Sequence, residues 1–228
     1  MLILQNISYT HPTKNLLFDK INLTVNNHEK IALIGNNGSG KSTLLKLIAK
    51  ELLPLDGQLF VDTEPYFVPQ IFGQYNHLTI GQALKVQNKL NALHEILKGN
   101  VSDENYTTLD DDWTIEERCN DALKYWQITN LSLSQKMESL SGGQKTKVFL
   151  AGISIHQPDL VLLDEPSNHL DVAGRQLLYS FIQCTQSTLI IVSHDRKLLN
   201  LLGKVAELSK RGITILTDVL FITTIIHP

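Results

Sequence analysis

The chain has 228 residues, of which 43% are hydrophobic and 19% are charged. These values suit one large globular domain, or a domain with a subdomain, around a real hydrophobic core. The formal net charge of −3 gives no overall basic field, so composition does not indicate nucleic-acid binding, although it leaves a local basic patch open. The sequence shows no secretory signal and no apolar run of the ~18 residues needed to cross a bilayer. We therefore expect a cytoplasmic protein without stable membrane insertion of its own.

The predicted elements alternate between strands and helices. In chain order, residues 21–25 alternate apolar and polar as in a half-buried strand, and the continuous apolar run 30–35 predicts a fully buried strand. Residues 41–50 follow with a helical pattern. Two further buried strands, 159–164 and 188–193, are separated by another helical pattern. Strand–helix–strand alternation predicts the α/β fold class with a parallel sheet.

The section from Thr79 to Leu140 has a helical texture, because its apolar residues recur at about the helical period. Its middle, residues 98–113 with the sequence KGNVSDENYTTLDDDW, is polar and acidic. We interpret this stretch as a loop between helices, in which residues 110–112 form a solvated acidic turn. The section as a whole is predicted to be a helical insertion.

A glycine-rich stretch, GNNGSGKST, follows the predicted strand 30–35 and opens the next helix. It matches the phosphate-binding pattern G-x-x-x-x-G-K-[ST], in which glycines let backbone N–H groups wrap around phosphate oxygens and the helix N-terminus adds partial positive charge. Lys41 is expected to reach the terminal phosphates, and the Ser42 hydroxyl to ligate Mg²⁺. The predicted nucleotide-binding residues of this loop are Gly35, Asn36, Asn37, Gly38, Ser39, Gly40, Lys41, Ser42 and Thr43.

Polar side chains also stand at the ends of the predicted strands. Asp164 and Glu165 end a buried strand, and ligands of open α/β sheets gather at such carboxyl ends, so both are expected to face the phosphates. Asp164 suits Mg²⁺ coordination, and Glu165 suits orienting and deprotonating an attacking water. Gln70 is placed to contact Mg²⁺ or the water, and His194 to donate to the γ-phosphate.

A second glycine turn, LSGGQ from Leu140 to Gln144, opens another predicted helix. Together with the phosphate-binding loop, Gln70, LLDEP and SHD, it stands in the order and spacing of the ATP-binding cassette (ABC) ATPases, which the chain resembles from about Ile3 to Ser209. The resemblance implies a P-loop NTPase of the ABC type, with an N-terminal antiparallel β subdomain and a helical subdomain. It also implies that the chain binds and hydrolyses ATP with Mg²⁺.

The resemblance gives the second glycine turn a role that involves another cassette. In the family this turn contacts the γ-phosphate of ATP held on a second cassette packed head to tail, so the implied partner is a second ABC cassette. The residues suit that role. Ser141 can cap the helix and bond a phosphate oxygen, Gly142 and Gly143 allow close backbone approach, and Gln144 begins a helix whose N-terminus favours negative charge.

The same resemblance assigns roles to the residues of the phosphate site. Ser42, Asp164 and Gln70 are expected to organise Mg²⁺. Glu165 is then the catalytic base, and His194 senses the γ-phosphate.

One aromatic residue near the N-terminus usually stacks on the adenine in this family. The matching position in NISYTHP is His11, with Tyr9 two residues earlier, which departs from the commoner Tyr or Phe. Either ring can stack on a base, so the sequence leaves both candidates open.

Two motifs resemble the ABC-F branch, whose members are soluble cassettes that act on ribosomes. DEPSNHLD, from Asp164 to Asp171, resembles the DEPTNHLD of that branch, and LSGGQKTKV resembles its LSGGQ-K-[TS]-[RK]-V. The resemblance implies a role on ribosomes in translation or antibiotic resistance. The alternatives are the ATPase subunit of an ABC membrane transporter and a non-catalytic binding module.

We predict a single ABC ATPase domain over residues 1–228, divided into an ATP-binding core, a helical subdomain and an atypical tail. The core comprises 1–78 and 156–210, the helical subdomain with a short insertion 79–155, and the tail 211–228. ABC-F chains normally hold two cassettes joined by a long charged linker. We therefore expect this chain either to homodimerise or to be the first half of a tandem protein, interrupted near Thr217 and Asp218.

Overall fold

Two β-sheets and a set of helices make up the computed structural model, which describes residues 1–11, 16–209 and 212–216. The chain divides into two units. The first contains the described residues of Met1–Gln70, Pro158–Asn168 and Leu178–Pro228, and the second contains Ile71–Gln157 and His169–Leu177. Of the predicted tail, residues 211–228, the structure describes only Gly212–Leu216, which form a strand, and the remainder lies outside the described residues. The predicted subdomain boundaries stay a prediction.

The sheets belong to the first unit. Its strands are β1 (Leu2–Thr10), β2 (Leu16–Val25), β3 (Lys30–Ile34), β4 (Asp56–Val61), β5 (Tyr66–Val68), β6 (Leu160–Asp164), β7 (Thr188–Val192), β8 (Lys204–Ser209) and β9 (Gly212–Leu216). β2, β1 and β4 form an antiparallel sheet in that order. The second sheet has the order β5-β6-β7-β3-β8-β9, in which only the β8–β9 pair is antiparallel. The predicted parallel α/β sheet is confirmed.

The described residues also form helices in both units. They are α1 (Lys41–Ile48), α2 (Ile80–Ala83), α3 (Gln87–Leu97), α4 (Asp103–Leu109), α5 (Ile115–Tyr125), α6 (Gly142–His156), α7 (Val172–Cys184) and α8 (Arg196–Leu199). In the second unit, α3 packs against α4 and α5, and α5 packs against α6. None of the described helices is both long and apolar enough to cross a membrane.

The core of the first unit explains why β6 and β7 read as continuous apolar runs. Every residue of both strands is buried, because each strand has a neighbour on both sides and is covered on both faces. Leu162 and Ile190 of these strands belong to one hydrophobic cluster with Leu44 of α1 and with Leu4 and Phe18 of the antiparallel sheet. This core holds the carboxyl ends of the parallel strands in place.

The prediction of a loop over residues 98–113 is wrong, because the structure places α4 within it. The Ser102 side chain accepts a hydrogen bond from the Asn105 N–H, and Asp103 and Glu104 lie in the first turn, where the helix dipole favours negative charge. Leu109 anchors the helix because it is fully buried. Seven residues with one buried apolar side chain give too little periodicity to show in the sequence.

The acidic turn after α4 is only partly solvated. Asp110 is exposed, as expected, but the side chain of Asp112 is only 12% exposed. Its carboxylate lies 3.3 Å from Lys89 Nζ of α3 and 2.9 Å from Arg118 Nη2 of α5. Asp112 therefore links two helices of the second unit through ion pairs.

The burial of β6 predicts a large difference between two leucine truncations. We expect Leu162→Ala, in the fully buried centre of β6, to lower the free energy of unfolding by about 2–5 kcal/mol. Leu53, which is 83% exposed, provides the matched control, and Leu53→Ala is expected to cost less than about 0.5 kcal/mol. Urea unfolding of the three proteins measures both effects, and equal losses would contradict the assigned burial.

Candidate functional site

The first unit contains an open pocket of about 620 Å³ at the carboxyl ends of its parallel strands. The described residues that line it are His11, Leu17, Asn37, Gly38, Gly40, Lys41, Ser42, Thr43, Gln70, Asp164, Glu165, Asn168, Val192 and His194. The structure therefore brings most of the predicted phosphate-site residues together. Gly35, Asn36 and Ser39 lie in the same loop but are not among the described residues that line the pocket.

Two glycines in the loop are required by its backbone. Gly35 has φ +147°, and a Cβ atom there would lie 2.4 Å from the carbonyl oxygen of Leu208. Gly40 is left-handed with φ +97°, and a Cβ atom there would lie 2.7 Å from Leu17 Cδ2. Gly40 is also the N-cap of α1, and because it has no side chain, no side-chain hydrogen bond caps this end of the helix. The helix N-terminus thus opens onto the pocket with its dipole available to an anion.

Lys41 is the cation of this pocket. Its Nζ donates hydrogen bonds to the carbonyl oxygens of Gly35, at 2.8 Å, and Asn36, at 3.2 Å. Burial lowers the pKa of Lys41, and the carboxylates of Glu165 and Asp164 oppose that change. Carbonyl oxygens are weaker partners for an ammonium group than phosphate oxygens are, so Lys41 is ready to exchange them for an anionic ligand.

Asp164 has the features of a metal ligand. Its Oδ1 is buried and accepts no hydrogen bond from the described residues. Burial raises the pKa of Asp164, while a hydrogen bond with the Ser42 side chain and the charges of Lys46 and Lys41 lower it. Gln70 lines the same pocket. Oxygen donors of carboxylate, hydroxyl and amide groups suit Mg²⁺, so these residues fit the predicted ion.

Glu165 adopts a left-handed backbone with φ +50°, which is uncommon for a residue other than glycine. Its N–H donates to the carbonyl oxygen of Val192 at 2.8 Å, which holds this turn against β7. The Glu165 side chain is 6% exposed, and its Oε1 lies 3.4 Å from His194 Nε2. The His194 N–H donates to Glu165 Oε2 at 3.4 Å. Burial raises the pKa of Glu165, and His194 opposes that rise.

The structure separates the two candidates for stacking on a base. His11 lines the pocket. The ring of Tyr9 instead packs beside that of Phe18, with centroids 6.1 Å apart. The geometry therefore favours His11 for contact with a base, and the assignment stays a proposal. Leu17 also lines the pocket, and no sequence motif pointed to it.

The second unit has a pocket of its own, of about 590 Å³, at the second glycine turn. The described residues that line it are Gln127, Ile128, Thr129, Ser141, Gly143, Gln144, Lys147, His169 and Asp171. Three of the four residues predicted at this turn are therefore on its surface. Lys147 was not predicted, although the one-turn spacing from Gly143 to Lys147 places these two residues on one face of α6. His169 and Asp171 belong to the segment SNHLD, Ser167 to Asp171, which resembles the family loop that links the two sites across a dimer.

The turn itself is built by a capping box. The Gln144 N–H donates to Ser141 Oγ at 3.3 Å, and the Ser141 N–H donates to Gln144 Oε1 at 2.9 Å. The predicted helix cap by Ser141 is thus present. A Cβ atom on Gly143 would lie 2.6 Å from the carbonyl oxygen of His169, so only glycine lets these two backbone segments approach so closely.

The sequence profile of one protein family, described as ABC transporter, matches residues 18–168 of the chain. The matched region contains the phosphate-binding loop, the second glycine turn and the two carboxylates, Asp164 and Glu165, at the end of β6. The chain belongs to the ABC transporter family.

The cassette is similar to curated members of the ABC-F branch, which confirms the predicted resemblance. Protein GCN20 of Saccharomyces cerevisiae is 32% identical over 216 residues, which cover 92% of this chain and 25% of that protein. ABC transporter F family member 3 of Arabidopsis thaliana is 34% identical over 201 residues, which cover 88% and 25%. The cassette spans about a quarter to a third of the length of the curated relatives it matches.

Solved structures share the fold of the cassette. A dimeric ATP-binding cassette in a post-hydrolysis state, bound to ADP and Pi, superposes with a TM-score of 0.70 at 23% identity, over 95% of this chain and 98% of that chain. A nucleotide-free ATP-binding cassette from an ABC transporter gives 0.69 at 19% identity, over 99% and 94%. These likenesses establish the predicted ABC-type fold.

The buried Asp164 gives the cassette a pH-dependent stability that a neutral isostere lacks. Because the folded-state pKa of Asp164 is raised, the wild type loses stability relative to Asp164→Asn as the pH rises from about 3.9, the ordinary Asp pKa, through the folded-state value. We expect the stability of Asp164→Asn minus that of the wild type to increase over this window and then become constant. Urea unfolding between pH 4 and pH 8 without Mg²⁺ measures the difference, and a decrease with pH would contradict the desolvation of this carboxylate.

Proposed function

We propose that the chain is the ATP-binding and ATP-hydrolysing cassette of an ABC-F type protein and pairs with a second cassette around Mg-ATP. One observation carries the proposal. The buried carboxylate of Glu165, paired with His194, faces the same pocket as the phosphate-binding loop and Lys41. A base, a cation and an anion-binding helix N-terminus are the components that phosphoryl transfer to water requires.

The loop and Lys41 hold the ATP phosphates in this proposal. The α1 N-terminus opens at Gly40 without a side-chain cap, so its N–H groups are directed at the phosphate oxygens. Lys41 exchanges its bonds with the Gly35 and Asn36 carbonyl oxygens for bonds with the terminal phosphates. Ser42, Gln70 and Asp164 hold Mg²⁺, which supplies charge neutralisation at the phosphates.

Glu165 acts as the general base in this proposal. Because burial raises the pKa of its carboxyl group, the carboxylate is more basic than that of an exposed glutamate, which favours removal of a proton from water. The left-handed turn at Glu165 and the bond from its N–H to Val192 fix its position. His194, whose ring is 63% exposed, has room to turn toward the γ-phosphate while its backbone remains bound to Glu165.

The second glycine turn supports a partner cassette. Family members dimerise, as in the solved dimeric cassette bound to ADP and Pi. In this chain the capped turn at Ser141 and the small residues Gly142 and Gly143 line or flank an open pocket in the second unit. We propose that this pocket receives the γ-phosphate of ATP held by the phosphate site of the partner cassette.

The ABC-F relatives favour a role on ribosomes, in translation or antibiotic resistance, over the ATPase subunit of a membrane transporter. Their similarity covers most of this chain. We further propose a cytoplasmic location.

Glu165→Gln separates binding from hydrolysis. We expect the rate of phosphate release to fall by about 10²–10⁴-fold, because the amide cannot accept the proton, while ATP affinity is retained. We also expect the variant to double its solution mass when Mg-ATP is added, because the closed pair no longer turns over. Phosphate release and light scattering at high protein concentration measure the two effects, with the exposed Glu51→Gln as the matched control.

A second substitution tests whether the glycine turn forms the interface. Gly143→Ala in the Glu165→Gln background places a Cβ atom against the His169 carbonyl oxygen, so the ATP-dependent doubling should be lost while ATP still binds. Gly73→Ala, where a Cβ atom meets no neighbour within 4 Å, is the control. A normal rate of ATP hydrolysis by Glu165→Gln would contradict the assigned role of Glu165 as the general base. A monomer that binds ATP would indicate that the partner cassette lies elsewhere.

The proposed target is tested by sedimentation. We expect Glu165→Gln to co-sediment with ribosomes through a sucrose cushion in Mg-ATP but not in Mg-ADP, because only the closed pair persists with ATP. Lys41→Ala, which lacks the phosphate-site cation, is the matched control and should remain in the supernatant. Recovery with membrane vesicles instead of ribosomes would favour the transporter alternative.

A further inference from the structure

Tyr179 makes a contact that none of the family motifs assigns. It lies on α7, and its hydroxyl donates to Asp195 Oδ2 at 2.5 Å. This distance is at the short end for a hydroxyl bound to a carboxylate, where the charge strengthens the bond. Both side chains are half-buried, so water competes for the bond less than at an exposed site. The contact ties a helix to the residue that directly follows His194.

Asp195 is a hydrogen-bonding centre in that segment. Its Oδ1 accepts from the N–H groups of Lys197, at 3.0 Å, and Leu198, at 3.3 Å, and so caps α8. Its own N–H donates to Ser193 Oγ at 3.0 Å. Asp195 is therefore bonded to the residues before and after it in the chain. Tyr179 binds Oδ2, the carboxylate oxygen that does not take part in the helix cap.

His194 depends on this arrangement for its position. Its side chain is 63% exposed, so few neighbours fix the imidazole directly. What fixes the residue is its backbone, between the bonded Ser193 and Asp195, and its N–H bond to Glu165 Oε2 at 3.4 Å. A shift of Asp195 would be passed along the chain to His194 and so to the Glu165 carboxylate.

We propose that Tyr179 is a positioning residue for hydrolysis, which sets His194 against Glu165 through Asp195. This inference rests on the proposed ATPase function. Tyr179 does not touch the nucleotide pocket, since it is not among the described residues that line it. Its effect is therefore exerted on the rate of the chemical step and not on the affinity for ATP.

Tyr179→Phe removes only the hydroxyl and so tests the proposal. In the full chain we expect kcat for Mg-ATP hydrolysis to fall by about tenfold, because small displacements of catalytic groups have large effects on rate, with KM changed less than about twofold. In a His194→Ala background the same substitution should lower kcat by less than about twofold, because the group that Tyr179 positions is gone. Tyr106→Phe, at a 44% exposed tyrosine, is the matched control and should leave both parameters unchanged.

The outcomes distinguish a positioning role from a structural one. An unchanged kcat, or an equal loss with and without His194, would overturn the proposal. If the wild type shows no hydrolysis at all, the proposed function fails, and the positioning contact is then judged by imidazole NMR. In that case Tyr179→Phe should still shift the ring resonances of His194, and unaltered resonances would reject the contact as a positioning device.

Discussion

The burial of two adjacent carboxylates at the end of β6 is the constraint on which the rest of the cassette depends. Burial raises the pKa of both Asp164 and Glu165, so the apolar core must stabilise a fold that contains two costly charges. The cost is reduced but not removed by Lys41, whose own pKa burial lowers. A site that buries charge of both signs, and in which Asp164 Oδ1 accepts no hydrogen bond from the described residues, has much to gain from a ligand that brings a divalent cation together with phosphates.

The parallel sheet supplies the rigidity that this arrangement needs. β6 pairs with β5 on one side and with β7 on the other. Val192, the last residue of β7, accepts a hydrogen bond from the Glu165 N–H through its carbonyl oxygen at 2.8 Å. The backbone of Glu165 remains left-handed, a conformation that persists only when its surroundings determine it. The backbone of Glu165, the proposed base, is therefore held by a main-chain contact with the sheet. The backbone of His194, on the loop after β7, is held instead by the bond from its N–H to the Glu165 side chain.

Sequence patterns predicted the buried strands and the phosphate loop because both depend on local features. The apolar runs of β3, β6 and β7 follow from burial on two faces, and the loop follows from glycines whose backbone other residues would strain. α4 was missed because a short helix with a polar cap and one buried leucine resembles a loop. The proposed preference for His11 over Tyr9 depends on tertiary structure, because His11 lines the pocket whereas the ring of Tyr9 packs beside that of Phe18. The same is true of Lys147 and His169, which reach the second pocket from separate segments.

The two pockets fall in different units, and this has a consequence for how the cassette works if pairing occurs as proposed. All described lining residues of the phosphate pocket belong to the first unit, and all those of the glycine-turn pocket belong to the second. In the closed pair, ATP would then contact the phosphate pocket of one cassette and the glycine-turn pocket of the other. The fraction of cassettes that are paired therefore depends on the local concentration of the partner's glycine-turn pocket. A tandem protein fixes that concentration at about the millimolar level through its linker, whereas separate chains must reach it by mass action. A chain that held both cassettes would therefore pair them with far less sensitivity to dilution than an isolated cassette.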